Sequence, residues 1–155
     1  LRAELEALGR RLGLAEHVTF AGSRQFDEMP AAYHAADVLA LASVVTPKGD
    51  QEGIPNAVVE AMACGLPVVS CDVGGITEAV VHGETGLIAA PDEPEDFADK
   101  LDALMSDAGL RARMGESGRR LAERKFDAAD GLARLAQLFC TSMQRRGPLP
   151  GAQEN

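Results

Sequence analysis

One run constrains the fold of this chain more than any other: Glu52-Gly53-Ile54-Pro55-Asn56-Ala57-Val58-Val59-Glu60-Ala61-Met62-Ala63-Cys64-Gly65-Leu66-Pro67-Val68-Val69. Its chain breakers bracket a single short helix. Pro55 suits a first helical turn, because its fixed φ fits a helix and the N–H it lacks would have been unpaired there. Residues 56–64 read as the helix. Gly65 supplies a residue able to turn left-handed and end it, Pro67 prevents its continuation, and residues 67–71 form an apolar, β-branched strand. Loop, helix, turn and strand in that order is one unit of a parallel α/β layer.

The alternation holds along the chain. Residues 1–14 read as a helix with Leu5, Leu8 and Leu12 at helical spacing, 18–21 as a short strand, 26–35 as a helix, and 37–43 and 86–89 as strands. A further helix starts at Ile76. After Pro91 the character changes to amphipathic helices over 94–106, 110–124 and 128–144. Residues 147–155 form a polar tail rich in Gly and Pro, expected to be disordered. The expected organisation is a partial Rossmann-like domain over residues 1–146 and a tail over 147–155.

The start of the helix after Pro55 carries the chemistry. A helix N-terminus leaves N–H groups unpaired and attracts phosphate. Glu60 lies about one turn further in, so its carboxylate can accept two hydrogen bonds from a ribose diol while a diphosphate sits at Gly53 to Asn56. Glu52, on the loop, can reach a sugar. Most Glu residues are solvated and uninvolved. Glu60, however, sits between Val59 and Ala61 in a helix with almost no other polar side chain, where an unpaired charge is costly to bury.

Composition excludes several function classes. A chain of 155 residues with formal net charge −9, one Tyr, five Phe and no Trp lacks the basic stripe and stacking residues of a nucleic-acid binder. It has neither an apolar run long enough to span a bilayer nor a basic-then-apolar leader, and reads as cytoplasmic. Cys64, Cys71 and Cys140 follow neither zinc nor redox spacing and read as small apolar residues. His17, His34 and His82 are scattered, so no metal site is expected. Arg-rich runs near Arg111 and Arg119 read as solvated helix faces, and Lys48 as a solvated loop residue.

The central run resembles the E-x7-E signature of retaining glycosyltransferases with two Rossmann-like domains, the GT-B fold, and especially the family 4 (glycosyl transferases group 1) domain. Asp37-Val38-Leu39-Ala40-Leu41-Ala42-Ser43 is similar to the family's preceding strand. Gly74-Gly75-Ile76-Thr77-Glu78 and Gly83-Glu84-Thr85-Gly86-Leu87-Ile88 are similar to its following elements, and residues 111–126 to its C-terminal helical segment. The likeness covers residues 1 to about 140. The longer form Gly49-Asp50-Gln51-Glu52-Gly53-Ile54-Pro55-Asn56 is similar to members that build exopolysaccharide and cell-envelope glycans. Thr77 departs from the family pattern, where Pro is common, and Glu78 is explained as an acid in a first helical turn.

The resemblance implies a Rossmann-like parallel sheet with flanking helices, the C-terminal half of a GT-B enzyme lacking its first two strands. It implies that Glu60 binds the donor ribose and that Glu52, the candidate catalytic residue, contacts the donor sugar's hydroxyls. Gly53, Ile54, Pro55 and Asn56 would face the sugar and diphosphate with their backbone, and Gly53 keeps a side chain out of the way. The substrate implied is a nucleoside-diphosphate sugar, with no cofactor and no metal. In the order 3-2-1-4-5-6 the absent strands lie between residues 18–21 and 37–43. Residues 18–21 then pair abnormally with 37–43, another segment fills the gap, or the chain is stable only within something larger. The Arg and Lys that family members place on the diphosphate have no match here. The acceptor domain would come from a missing N-terminal portion or a partner chain, and any peripheral membrane contact through that domain.

Two function classes follow. One is the donor-binding part of a retaining glycosyltransferase that moves a sugar to a glycan or lipid-linked acceptor, inactive alone. The other is a non-catalytic binding or interaction module, either a split-transferase subunit or an inert remnant. A sugar-nucleotide epimerase of the same architecture fits the Glu pair and Gly/Pro loop less well. The last helix bears on the choice: its apolar face with Leu132, Leu135, Leu138 and Phe139 either crosses to another domain or packs on its own sheet.

Overall fold

Val68-Val69-Ser70-Cys71 is buried at every position, as a strand covered on both faces of a parallel sheet must be. A computed structural model describes residues 1–45, 48–49 and 53–146 of the chain, and in it this segment is β2 (Val68–Cys71), the middle strand of a parallel sheet ordered β1-β2-β3. β1 (Leu39–Leu41) pairs Leu39 with Val68 and Leu41 with Ser70, while β3 (Gly86–Ala89) pairs Gly86 with Val68 and Ala89 with Cys71. The buried Ser70 hydroxyl is satisfied by donating to the Leu41 carbonyl at 2.8 Å, which adds a side-chain tie between β1 and β2.

The helices are α1 (Arg2–Arg11), α2 (Met29–His34, entered through a 3-10 turn at Phe26–Glu28), α3 (Asn56–Ala63), α4 (Ile76–Ala79), α5 (Pro94–Ser106), α6 (Ala108–Lys125) and α7 (Ala128–Arg146). Successive β2 side chains point to opposite faces. Val68 joins Val58 and Met62 of α3, Ile76 and Ala79 of α4, and Ala122 of α6. Val69 joins Leu87 of β3, Leu104 of α5 and Met114 of α6 on the other face. A third cluster sets Tyr33 of α2 against Ala61 of α3 and Leu66 of the following turn. Gly65, at φ +76°, ends α3 in the left-handed conformation expected of it.

Most expected elements form, with boundaries that pairing and capping shift. α5 and β3 match the sequence reading residue for residue. The strand expected over 37–43 narrows to Leu39–Leu41, the stretch in register with β2. Pro55 lies one position outside its helix, as an N-cap with extended ψ of 132°. Residues 18–21 form no strand, and Val18 is 43% exposed. A strand needs a neighbour to pair its backbone, and among the described residues β1 has only β2 beside it. Neither abnormal pairing of 18–21 with β1 nor a filling segment occurs there.

One further expectation is corrected, and one of two alternatives is narrowed. Arg111 is not on a solvated face: its Nη1 donates to the carbonyls of Leu104 (2.7 Å) and Met105 (2.8 Å), satisfying the last turn of α5. Arg119 is solvated as expected, paired with Glu123 at 2.9 Å. On α7, Leu132, Leu135 and Leu138 are all exposed, so these three leucines do not pack on the chain's own sheet. The expectations for Glu52 and for residues 147–155 lie outside the described residues, as do the side chains of Phe139 and Cys140.

Candidate functional site

The site is assembled around α3. The loop leaving β1 returns at Gly53, which is exposed, and continues through half-buried Ile54, whose side chain packs against the Val58–Met62 cluster. Pro55 then starts α3 without a side-chain cap. Val58 N–H turns back to the Pro55 carbonyl at 3.0 Å, which leaves Asn56 and Ala57 as the N–H groups lacking an acceptor within the helix. Gly53, Ile54, Pro55 and Asn56 are thus contiguous at a helix N-terminus, on the side where an anion is favoured.

Glu60 is four residues inside that end, an axial rise of about 6 Å, on the same helical face as Asn56. The Glu60 carboxylate lies on the side of α3 that faces α2. It is half-buried, and the charge that needs a partner has one: the Tyr33 hydroxyl donates to Glu60 Oε2 at 3.0 Å. Tyr33 is only 6% exposed and is pushed up to about 12, by burial first and then by its hydrogen bond to Glu60. Its phenol therefore keeps its proton at ordinary pH and acts as a donor. A recess of about 180 Å³ opens between α2 and α3 beside this pair, lined by Phe26, Met29, Pro30, Tyr33, Glu60, Ala63 and Cys64.

Tyr33 is a site residue that sequence reasoning did not single out. The cost of an unpaired Glu60 called for a partner, but the partner is 27 residues away and no local pattern links the two. Gly75 is a second. It donates its N–H to the Gly53 carbonyl at 3.3 Å and supports the loop from the end of β2. Lys48 is exposed, as expected of a loop lysine. Burial pushes the Cys71 thiol up, which disfavours its thiolate, while Cys64 is half-buried and free.

A second recess, of about 340 Å³, lies beyond the carboxyl ends of the strands and is lined by Ala42, Val44, Cys71, Asp92, Glu93, Pro94 and Phe97. Ligands of open α/β sheets gather at that end. Asp92 and Glu93 make this recess a poor host for a diphosphate, whereas the α3 N-terminus attracts one.

A parallel layer with helices on both faces, and a helix start and helix-borne carboxylate at one end, defines a Rossmann-like α/β domain with a candidate anion-and-diol site. Residues 1–121 match the family described as glycosyl transferases group 1, and the chain belongs to that family. It is 34% identical over 143 residues to a GDP-mannose-dependent alpha-(1-6)-phosphatidylinositol monomannoside mannosyltransferase of Mycolicibacterium smegmatis, covering 92% of this chain and 37% of that protein. The chain thus spans little more than a third of this relative's length. Among solved structures it is similar to Anabaena Alr3699/HepE in complex with UDP (TM-score 0.79, 29% identity, covering 90% of this chain and 36% of that one). It is also similar to the C-terminal domain of a group 1 family glycosyl transferase (LpcC) from Francisella tularensis (TM-score 0.69, 30% identity, 82% and 63% covered). The expected fold class, a Rossmann-like sheet of the GT-B kind, is the one observed. Among the described residues no helix is long and apolar enough to cross a membrane.

Proposed function

We propose that this chain is the donor-binding part of a retaining glycosyltransferase that takes a nucleoside-diphosphate sugar. The observation that carries the reading is the placement of Glu60 on the face of α3 that holds Asn56, one turn inside the helix start. In this reading the diphosphate lies against the backbone of Gly53 to Asn56. Glu60 accepts from the ribose hydroxyls, and Glu52 contacts the sugar hydroxyls as the catalytic residue. When the bond from the anomeric carbon to the diphosphate breaks, negative charge grows on the departing oxygen. The α3 N-terminus offsets that charge with fixed N–H dipoles. The acceptor hydroxyl then bonds to the anomeric carbon on the face the diphosphate left and gives its proton to the departing phosphate oxygen, which gives net retention. No metal is assigned a role, and the acceptor site belongs to a further domain or partner chain.

The relatives support a nucleotide-sugar donor without agreeing on the base: the Mycolicibacterium protein is named GDP-mannose-dependent, and the Anabaena protein is solved with UDP and with UDP-glucose. Calorimetric titration of the chain with GDP, UDP and their sugar conjugates, beside a sizing run, tests the reading. Saturable binding that Glu60→Gln weakens by about tenfold is expected, the scale of one hydrogen bond to a charged group. A folded chain that binds none of them would overturn it. One observation favours the second reading, an interaction module: the exposed Leu132, Leu135 and Leu138 stripe of α7. Under that reading, charging this stripe abolishes association with a partner while no nucleotide binds at all.

A further inference from the structure

We propose that Tyr33 is a positioning residue for the donor site, fixing the Glu60 carboxylate so that its remaining acceptor sites meet a ribose diol. The inference rests on the reading of Glu60 as the ribose ligand. Glu60 has three rotatable side-chain bonds, and a half-buried helical carboxylate with no partner would sample several rotamers. Tyr33 has two, and its ring is clamped in the cluster with Ala61 and Leu66, with Met29, Leu39 and Cys64 around it. The hydroxyl is therefore held by packing and not only by its bond to Glu60 Oε2.

The stoichiometry of the carboxylate fits. Two oxygens offer about four lone-pair sites, of which Tyr33 occupies one on Oε2. Among the described residues nothing else bonds to the carboxylate, so Oε1 and the second site on Oε2 are there for two ribose hydroxyls. A phenol bound this way can only donate to the carboxylate, so it orients Glu60 without taking the place of the diol. Holding a ligand group within a fraction of an ångström is what a bidentate contact requires. Because α2 also forms one wall of the recess beside Glu60, any shift of α2 against α3 would move the carboxylate with it.

The test compares Tyr33→Phe with wild type for GDP and UDP and for their 2′,3′-dideoxy counterparts, by calorimetry. Phe keeps the ring and its packing, so the fold is retained. The expected result is a loss of about tenfold for the ribonucleotide that binds, with the dideoxy form unchanged. The loss should not add to that of Glu60→Gln, because both remove one contact. Equal losses for ribo and dideoxy forms would reduce Tyr33 to a packing role and overturn the proposal. So would an unchanged or a tightened ribonucleotide, the latter meaning that the phenol competes with the ribose. Wild-type protein that binds neither nucleotide would instead defeat the reading of the site itself, and the proposal with it. A second measurement needs no substitution. Tyr33 is the single Tyr of the chain, so 3-fluorotyrosine labelling yields one fluorine resonance. Saturation with the ribonucleotide should shift it and the dideoxy form should not; a resonance indifferent to both at saturation would overturn the proposal.

Discussion

Gly75 stands so close to Gly53 that a Cβ on Gly75 would lie 3.0 Å from the Gly53 carbonyl carbon and 3.1 Å from the Ile54 nitrogen. The two backbones are joined by the Gly75 N–H to Gly53 carbonyl bond at 3.3 Å. The turn after β2 thereby sets where the loop before α3 can sit. Gly75→Ala should push Gly53 and Ile54 outward by a few tenths of an ångström. The expected outcome is a several-fold loss of nucleotide-sugar affinity with a stability loss of only about 1 kcal/mol. Calorimetric binding beside a thermal melt checks it; unchanged binding would show that the loop tolerates displacement.

Gly115 and Gly118 lie on the same buried face of α6 and should respond oppositely to alanine. A Cβ on Gly115 would stand 2.0 Å from the Gly65 carbonyl oxygen, at the turn between α3 and β2. Backbone cannot yield there as a side-chain end can, so Gly115→Ala should cost about 2–3 kcal/mol. At Gly118 the nearest atoms, Met62 Cγ and the Thr85 carbonyl oxygen, would be 3.6 Å away, an ordinary contact. Gly118→Ala should therefore stabilise by about 0.5–1 kcal/mol, the gain in helix propensity and unfolded-state entropy. Urea midpoints of the two variants decide the matter.

Arg111 closes α5 with one nitrogen on two carbonyls and has Asp37 Oδ1 3.8 Å from the other. Arg111→Ala strands the part-buried Leu104 carbonyl, while the exposed Met105 carbonyl can turn to water, and should lower stability by about 1–2 kcal/mol. Arg111→Lys should restore only part of it, since an ammonium lacks the planar fork. Hydrogen exchange should show the loss concentrated in the last turn of α5.

The Asp96 carboxyl is held below the usual carboxylate range, first by the Lys100 side-chain hydrogen bond and then by the Ala90 N–H. A carboxyl depressed in the folded state contributes stability above its unfolded value, about 3.9, and that contribution is lost as pH falls through the lower folded value. Acid titration of stability should therefore be shallower in Asp96→Asn than in wild type over that window. Parallel curves would mean that solvent already screens the pair.

Legibility in the sequence followed the range of the interactions. β3 and α5 were readable to the residue because apolar runs and Pro94 mark their ends locally. The same holds for Gly65, whose left-handed turn is a property of one residue. Residues 18–21 carry strand composition but no strand, because pairing is a property of neighbours and not of the segment. Arg111 looked like surface charge because its acceptors are carbonyls, which a pattern of side chains does not display. At the site, the helix start and Glu60 were visible as a motif. Tyr33 was not, and Gly75 stood out only as part of a family-like run and not for its role, since each acts through a contact that only the folded chain creates.

β1 is three residues long, alternates half-buried Leu39, exposed Ala40 and half-buried Leu41, and among the described residues has no strand on its outer edge. Because a strand shows its two faces with a period of two, a slip of one residue would turn the apolar face of an incoming strand away from the side on which Leu39 and Leu41 pack. That edge therefore accepts only every second alignment. It behaves as a keyed joint, able to admit a strand of matching pattern while turning away the chance partners that make bare sheet edges hazardous.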